Sequence, residues 1–302
     1  MLMLKSTPMS KLKAKTPDKV EPSKPKILIF GASGVGKTWF SLDFPSCYYI
    51  DTEGGAARSH YMDKLTKSGG MIMGPEDGSL DGETVISQFQ ALATEKHGFK
   101  TVVVDSITKL FNTLVANEQE RLGDKDAFGA SKKPAVAFMR RLMNWIHRLP
   151  MNVVLICHEK EEWGVDGQGN RTQVGTTFDC WDKVQYELDL SIQVLKQGQS
   201  RVGLIRKSRL QGFPDRERFQ LDYSEFALRY GKDVIDAESK VITLATPEQV
   251  AEIVRLSDLL KMSEEEKQKW LTRASASDWS ELDTDQASKA IKALLAKITP
   301  NK

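Results

Sequence analysis

The chain has 302 residues, 40% hydrophobic and 28% charged, which allows one large α/β domain, alone or with a small appendage, of ordinary globular character. No apolar run approaches the roughly 18 residues of a membrane span, and the first residues lack the unbroken apolar core of a secretory signal, so no membrane partner is expected. Cys47, Cys157 and Cys180 are few and odd in number, which argues against a disulfide framework and for buried thiols in a reducing cytoplasm.

The net charge of +2 is unevenly spread. Residues 1–26 carry seven lysines against Asp18 and Glu21, a net +5, which leaves −3 for the remainder. No global positive field therefore recommends nucleic acid, and any such contact must come from local loops or from the leader. With Pro8, Pro17, Pro22 and Pro25 and little periodicity, residues 1–25 read as a disordered basic leader, either a solvated segment or a weak DNA-contacting arm.

The chain then becomes specific. The apolar run Ile27-Leu28-Ile29-Phe30 ends in Gly31-Ala32-Ser33-Gly34-Val35-Gly36-Lys37-Thr38, which fits G-x-x-x-x-G-K-T, and a helix opens through Trp39. Glycines let backbone N–H groups curl around phosphates, and the start of a helix adds its positive end. Gly31, Ser33, Gly34, Val35, Gly36, Lys37, Thr38 and Trp39 are thus the expected nucleotide-binding residues. Lys37 would reach the β- and γ-phosphates and Thr38 would ligate Mg2+. Pro45 makes the helix short.

Cys47-Tyr48-Tyr49-Ile50 is the next strand-like run, ending in Asp51-Thr52-Glu53-Gly54-Gly55. An acidic residue at the carboxyl end of a parallel strand points into the crevice where α/β sheets bind ligands, so Glu53 is a candidate base for the attacking water. A loop around a Met71–Met73 strand and a helix carrying Val85, Ile86, Phe89 and Leu92 follow. Val102-Val103-Val104-Asp105 is a buried strand whose Asp105 would hold Mg2+ opposite Thr38. A helix from Ile107 to Val115, a polar loop over 121–134, a helix from Pro134 to Pro150 and the strand Asn152–Cys157 complete the alternation. His158, at the same sheet edge as Glu53 and Asp105, is a candidate γ-phosphate sensor. Alternating strands and helices predict a mainly parallel sheet.

The pattern changes after residue 160. Glycines at 164, 167, 169 and 175 mark a hairpin or a mobile loop. Alternation from Val184 to Val194 predicts one strand, followed by Arg201–Ile205 and Phe219–Leu221, antiparallel strands at one edge. Between them Arg206-Lys207-Ser208-Arg209 is either a solvated basic turn or a set of cations suited to completing a neighbouring subunit's site. From Thr246 the chain turns helical, with capping boxes at Thr246–Gln249 and Ser263–Glu266, a Thr284 cap and an apolar stripe from Ala287 to Ile298. The expected division is a leader (1–25), an ATPase core (26–240) and a helical appendage (246–300), the last open to packing or partner docking.

This order of motifs resembles the RecA-type ATPase core. The resemblance implies that Glu53 is the catalytic glutamate, Asp105 the Mg2+ aspartate and His158 the sensor. The sensor is usually glutamine, and histidine there resembles the clock-protein and RadA-like branches. Lys207-Ser208-Arg209 resembles the K-x-R finger that acts in trans in replicative hexameric helicases, implying a homo-oligomer. More narrowly, Tyr49-Ile50-Asp51-Thr52-Glu53-Gly54-Gly55 and the compact core, over residues 26–235, are similar to phage-encoded core-only ATPases of AAA type implicated in recombination and single-strand annealing. By position, the resemblance implies DNA-contacting loops at 121–135, with Lys125, Lys132 and Lys133, and at 160–178, with Trp163 and Arg171, where lysines hold phosphates and an indole stacks on a base.

The expected protein is therefore an α/β, RecA-like P-loop ATPase using ATP and Mg2+, oligomeric and acting on single-stranded DNA. Its C-terminal helices would be free to dock phage or host recombination proteins, and its place is the host cytoplasm. An annealing protein that uses nucleotide only as an assembly switch, and a helicase or helicase-loader motor, are the alternatives.

Overall fold

The computed structural model describes residues 23–55, 59–78, 80–126 and 129–298. The expected disordered leader lies outside the described residues, apart from its last three. These are tied to the body: the Lys24 ammonium donates to Ile235 O at 2.9 Å, and Val153 N–H donates to Pro25 O.

In chain order the strands are β1 (Lys26–Phe30), β2 (Cys47–Asp51), β3 (Met71–Met73), β4 (Thr101–Asp105), β5 (Asn152–Cys157), β6 (Glu159–Val165), β7 (Arg171–Phe178), β8 (Leu190–Gln197), β9 (Ser200–Ser208) and β10 (Arg218–Gln220). All but β6 and β7 form an eight-stranded sheet ordered β10-β9-β8-β1-β5-β4-β2-β3. The stretch from β8 to β3 is parallel, and β9 and β10 are antiparallel at one edge. β1 and β5 are buried along their whole length, as unbroken apolar runs covered on both faces must be.

Alternate side chains of the strands feed two cores. Leu28 and Phe30 face the helices α3 (Gly82–Thr94), α4 (Ile107–Leu122) and α5 (Lys132–Arg148). Ile27 and Ile29 face the layer of α1 (Lys37–Ser41), α2 (Ser59–Lys67), α7 (Tyr223–Tyr230) and α8 (Lys232–Asp236). The architecture is the expected α/β sandwich with a mainly parallel sheet and antiparallel edge strands.

The alternation from Val184 misleads over its first half. Val184–Glu187 is a helical turn, α6, and the strand begins only at Leu190. Val184 and Leu188 are fully buried while Tyr186 is 62% exposed, the i, i+4 burial of a helix and not that of a strand face. Pairing with β1 starts where Lys26 N–H donates to Asp189 Oδ2 and Asp189 N–H to Lys26 O. The polar loop is also shorter than expected, because Lys132, Lys133 and Pro134 already belong to α5. The stretch over 159–178 is a hairpin, the separate β6–β7 ribbon.

The last helices, α9 (Pro247–Leu259), α10 (Glu264–Arg273) and α11 (Thr284–Ile298), enclose a core of their own. Both capping boxes form. The third cap differs: Asp283 Oδ1 accepts from Gln286 N–H at 2.7 Å, and the Thr284 hydroxyl instead lies beside Thr243 O and Leu244 O. Arg141 of α5 joins this bundle to the body, pairing with Glu281 at 3.1 Å and with Glu83 of α3 at 2.7 Å.

Candidate nucleotide site

Parallel β1, β5, β4 and β2 are neighbours, so their carboxyl ends and the loops that leave them share one edge. There a cavity of about 730 Å3 opens among the phosphate loop, Asp51, Glu53, Asp105 and His158. Its volume falls within the usual range of small-molecule sites.

The phosphate loop is pressed against β8. A Cβ on Gly31 would stand 2.6 Å from Val194 O, so only glycine fits. Gly36 caps α1 at φ +99°, in the left-handed region, with the Arg201 side chain packed over it. Val35 is buried in the core and, like Gly36, is not part of the cavity lining. Lys37 arches back over the loop, its Nζ donating to Gly31 O at 2.8 Å and Ala32 O at 2.9 Å. Burial lowers the Lys37 pKa, while Asp105, Glu159 and Glu53 oppose the shift. Because α1 has only five residues, loop N–H groups and this ammonium, more than a long helix dipole, supply the positive field.

Opposite the lysine, Asp105 Oδ2 accepts two hydroxyls, Thr38 Oγ1 at 2.6 Å and Tyr49 Oη at 2.7 Å. Burial raises the Asp105 pKa, the two hydroxyl donations resist it, and the Glu53 and Asp51 charges add to the rise. An anionic, oxygen-lined spot of this kind suits a small hard cation that keeps water and phosphate ligands. Thr38 and Asp105 are the residues that would hold Mg2+, and the donor set fits it.

Glu53 is placed by a built loop. Asp51 is 2% exposed, and its Oδ1 accepts N–H groups from Glu53 at 3.0 Å, Gly54 at 2.9 Å and Gly55 at 3.4 Å. Thr52 locks the same loop to the end of β4: its N–H donates to Asp105 O, and its hydroxyl bridges Ser106 O and Ser106 N–H. The Asp105–Ser106 peptide is cis. Ser106 Oγ then donates to Glu53 Oε1, and His158 Nε2 stands 2.7 Å from the same oxygen. His158 is fixed through its backbone, N–H to Thr108 Oγ1 and C=O from Asp179 N–H. Glu53, Asp105, His158, Lys37 and Thr38 are thus brought together around one cavity.

Several lining residues were not legible beforehand. Tyr49 reads as an ordinary strand aromatic, yet its hydroxyl enters the site. His60 and Tyr61 of α2 line the cavity, their rings 4.1 Å apart. Glu159 follows the expected sensor. Trp39 is 47% exposed and is not part of the lining; its ring lies 6.1 Å from His60 and 6.2 Å from Tyr61, with Lys64 Nζ 3.7 Å above it.

Lys207 and Arg209 are elsewhere. β9 runs antiparallel to β8, with Lys207 opposite Ser191, so both cations sit at the end of the sheet remote from the phosphate loop. They donate to Leu188 O and Tyr186 O. Trp163, 48% exposed, and Arg171 lie on the β6–β7 ribbon with the guanidinium 5.0 Å over the indole. Lys125 lies in a 3-10 turn after α4, and Lys132 and Lys133 in the first turn of α5, all exposed.

A phosphate loop at the end of β1, with an aspartate closing β4 beside its threonine, defines a P-loop nucleoside triphosphatase fold with a nucleotide-binding site. A family model described as an AAA domain matches residues 23–212. That is more than half of the chain, and the protein belongs to this family. No curated protein matches the sequence. A solved structure of a prototypical ATPase from the type III secretion system of pathogenic bacteria is 12% identical, with 93% of this chain and 88% of that chain covered and a TM-score of 0.39. A likeness at that level carries no argument about this chain. No described helix is long and apolar enough to cross a membrane.

Proposed function

We propose that the protein is a Mg2+-dependent ATPase that works as an assembly of copies on single-stranded DNA, in phage-type recombination or strand annealing. One observation carries the hydrolytic part: the Glu53 carboxylate stands on the same cavity as Lys37, Thr38 and Asp105, held by Ser106 Oγ and by His158 Nε2 at 2.7 Å. Glu53 orients the attacking water and takes its proton, while Lys37 and the loop N–H groups stabilise the charge that develops on the phosphoryl oxygens. Thr38 and Asp105 would hold Mg2+, which would supply neutralisation of phosphate charge. Asp51 and Thr52 keep the glutamate loop in place, and His158 senses the γ-phosphate through the carboxylate it touches. The His60 and Tyr61 rings, on the same cavity, offer the nucleobase an aromatic face.

Lys207 and Arg209, remote from their own phosphate loop, are proposed to complete a neighbour's site, which makes the active form an oligomer. The exposed Trp163–Arg171 stack and the lysines at 125, 132 and 133 supply the kind of surface that tracks a single strand.

The donors on Glu53 also favour a second reading. With Ser106 Oγ and His158 Nε2 both on Oε1, only the other carboxylate oxygen is left to orient a water, which suits slow turnover and a nucleotide used chiefly to trigger assembly. Undiminished strand annealing by a Lys37→Ala variant would support that reading.

The deciding experiment measures ATP turnover and particle size with and without single-stranded DNA. DNA-stimulated turnover by a multimer is expected. A persistent monomer with no DNA stimulation and no gel-shift would sink the proposal.

A further inference from the structure

The C-terminal bundle carries a second concave surface, built from α10, the 3-10 turn at Trp279–Glu281 and α11. It is a groove of about 300 Å3 with Trp270, Trp279, Leu282 and Ala290 as its apolar lining and Arg273 and Lys289 at its rim. The nucleotide site uses none of these residues.

Three features give the groove a chemistry. Its volume and lining suit one bulky apolar side chain. The rim is cationic, with no acidic side chain in the lining, and among the described residues neither Arg273 nor Lys289 has a carboxylate partner. Elsewhere on the bundle, Arg255, Lys267 and Lys269 each hold a glutamate, at 2.7, 2.9 and 2.7 Å. Finally, Trp279 is only 9% exposed, yet its indole N–H has no acceptor among the described residues and is not sealed from the surface. A donor in that position commonly finds a hydrogen-bond partner.

We infer that this groove docks a short acidic peptide segment of another protein, with a bulky apolar anchor between the indoles and carboxylates on Arg273 and Lys289. A backbone carbonyl of the peptide accepts from Trp279. The chain's own leader is the wrong occupant, because its net +4 opposes a cationic rim. Nucleic acid fits less well, because two cations give a phosphate backbone little to track and the groove admits one side chain and not a run of bases.

The test uses the full chain and a fluorescein-labelled hexapeptide, DEDDLF, read by polarisation. Arg273→Glu and Lys289→Glu should each weaken binding roughly fivefold, as rim charges do, and replacing the peptide's Leu-Phe by Ala-Ala should weaken it at least tenfold. Both protein substitutions are on exposed positions, so unchanged circular dichroism and ATP turnover report an intact fold. Three results would overturn the inference. One is equal binding of the charge-reversed KRKKLF. Another is a poly-thymidine strand that binds the protein and is lost with Arg273→Glu while the peptide is not. The last is a concentration-dependent dimer that the double variant abolishes, which would give the groove to a second copy.

Discussion

Two oxygens set the electrostatics of the site at the level of single residues. Glu53 Oε1 gathers Ser106 Oγ and His158 Nε2; Asp105 Oδ2 gathers Thr38 and Tyr49 hydroxyls. Glu53→Gln keeps the hydrogen-bond acceptor and removes the proposed base. Nucleotide affinity should hold while turnover falls by about 10²–10⁴-fold, the usual worth of general base catalysis; comparing fluorescent-nucleotide binding with single-turnover rates checks this. Tyr49→Phe removes only a hydroxyl that orients Asp105, the carboxylate proposed to hold Mg2+. The Mg2+ concentration for half-maximal nucleotide binding should rise by roughly tenfold or more, and an unmoved titration would mean that Thr38 alone suffices to orient Asp105. The two residues also differ in legibility. Glu53 was visible because a strand end and a Gly-Gly turn framed it, whereas Tyr49 looks like any buried strand aromatic until β2 and β4 are laid side by side.

Two elements carry testable consequences. The β6–β7 ribbon leaves the sheet directly after His158 and is pinned back to it by Arg206. That guanidinium donates to Thr176 O at 2.9 Å, to Gln193 Oε1 at 2.7 Å and to Glu162 Oε2 at 2.9 Å. Within a cationic run this arginine looked like its neighbours; in the fold it faces the ribbon while Lys207 faces away. Arg206→Ala should speed hydrogen exchange across residues 159–178 by about tenfold or more, given that charged hydrogen bonds are lost, with little change in the rest of the sheet. β1 carries the other consequence. Lys26 is buried, its ammonium held by Leu149 O and Met151 O. Burial pulls its pKa from 10.5 down to about 7, Asp189 opposing and Lys24 adding. Between those values the unfolded chain binds a proton that the folded chain lacks, so stability increases with pH through the window. Lys24, lowered by burial to about 8, acts in the same sense. Urea midpoints should therefore climb from about pH 7 to about pH 9, by at most about 1.4 kcal/mol per unit from Lys26. Lys26→Met should flatten that climb.

Across the whole molecule, Lys207 and Arg209 lie at the opposite end of the sheet from the phosphate loop. If Lys207 and Arg209 serve a neighbouring copy, each assembled site needs two chains. Arg209→Ala should then lower turnover by about 10³-fold without weakening nucleotide binding, and mixing it with Lys37→Ala should restore part of the activity, since each lesion leaves the complementary half intact. Turnover unchanged in Arg209→Ala would remove the basis for a shared site. The bundle of α9, α10 and α11 has its own core and meets the body through Arg141, Glu281 and the Leu244–Asp283 bridge, so it can carry a partner surface without disturbing the sheet.

Local chemistry was enough to determine the phosphate loop, the strand-end carboxylates, the parallel sense of the central strands and both capping boxes. Each depends on a few neighbouring residues: glycines where a side chain would collide, an unbroken apolar run where both faces are covered, a hydroxyl and a carboxamide or carboxylate three residues apart. Tertiary structure alone decided the rest. It made a helical turn of Val184–Glu187, because burial at 184 and 188 outweighed an apparent alternation. It brought Tyr49, His60, Tyr61 and Glu159 to the cavity and sent Lys207 and Arg209 to the far end. Periodicity records which side chains are buried; which buried or charged groups meet one another depends on strand order and register, and those are settled by the packing of the complete sheet.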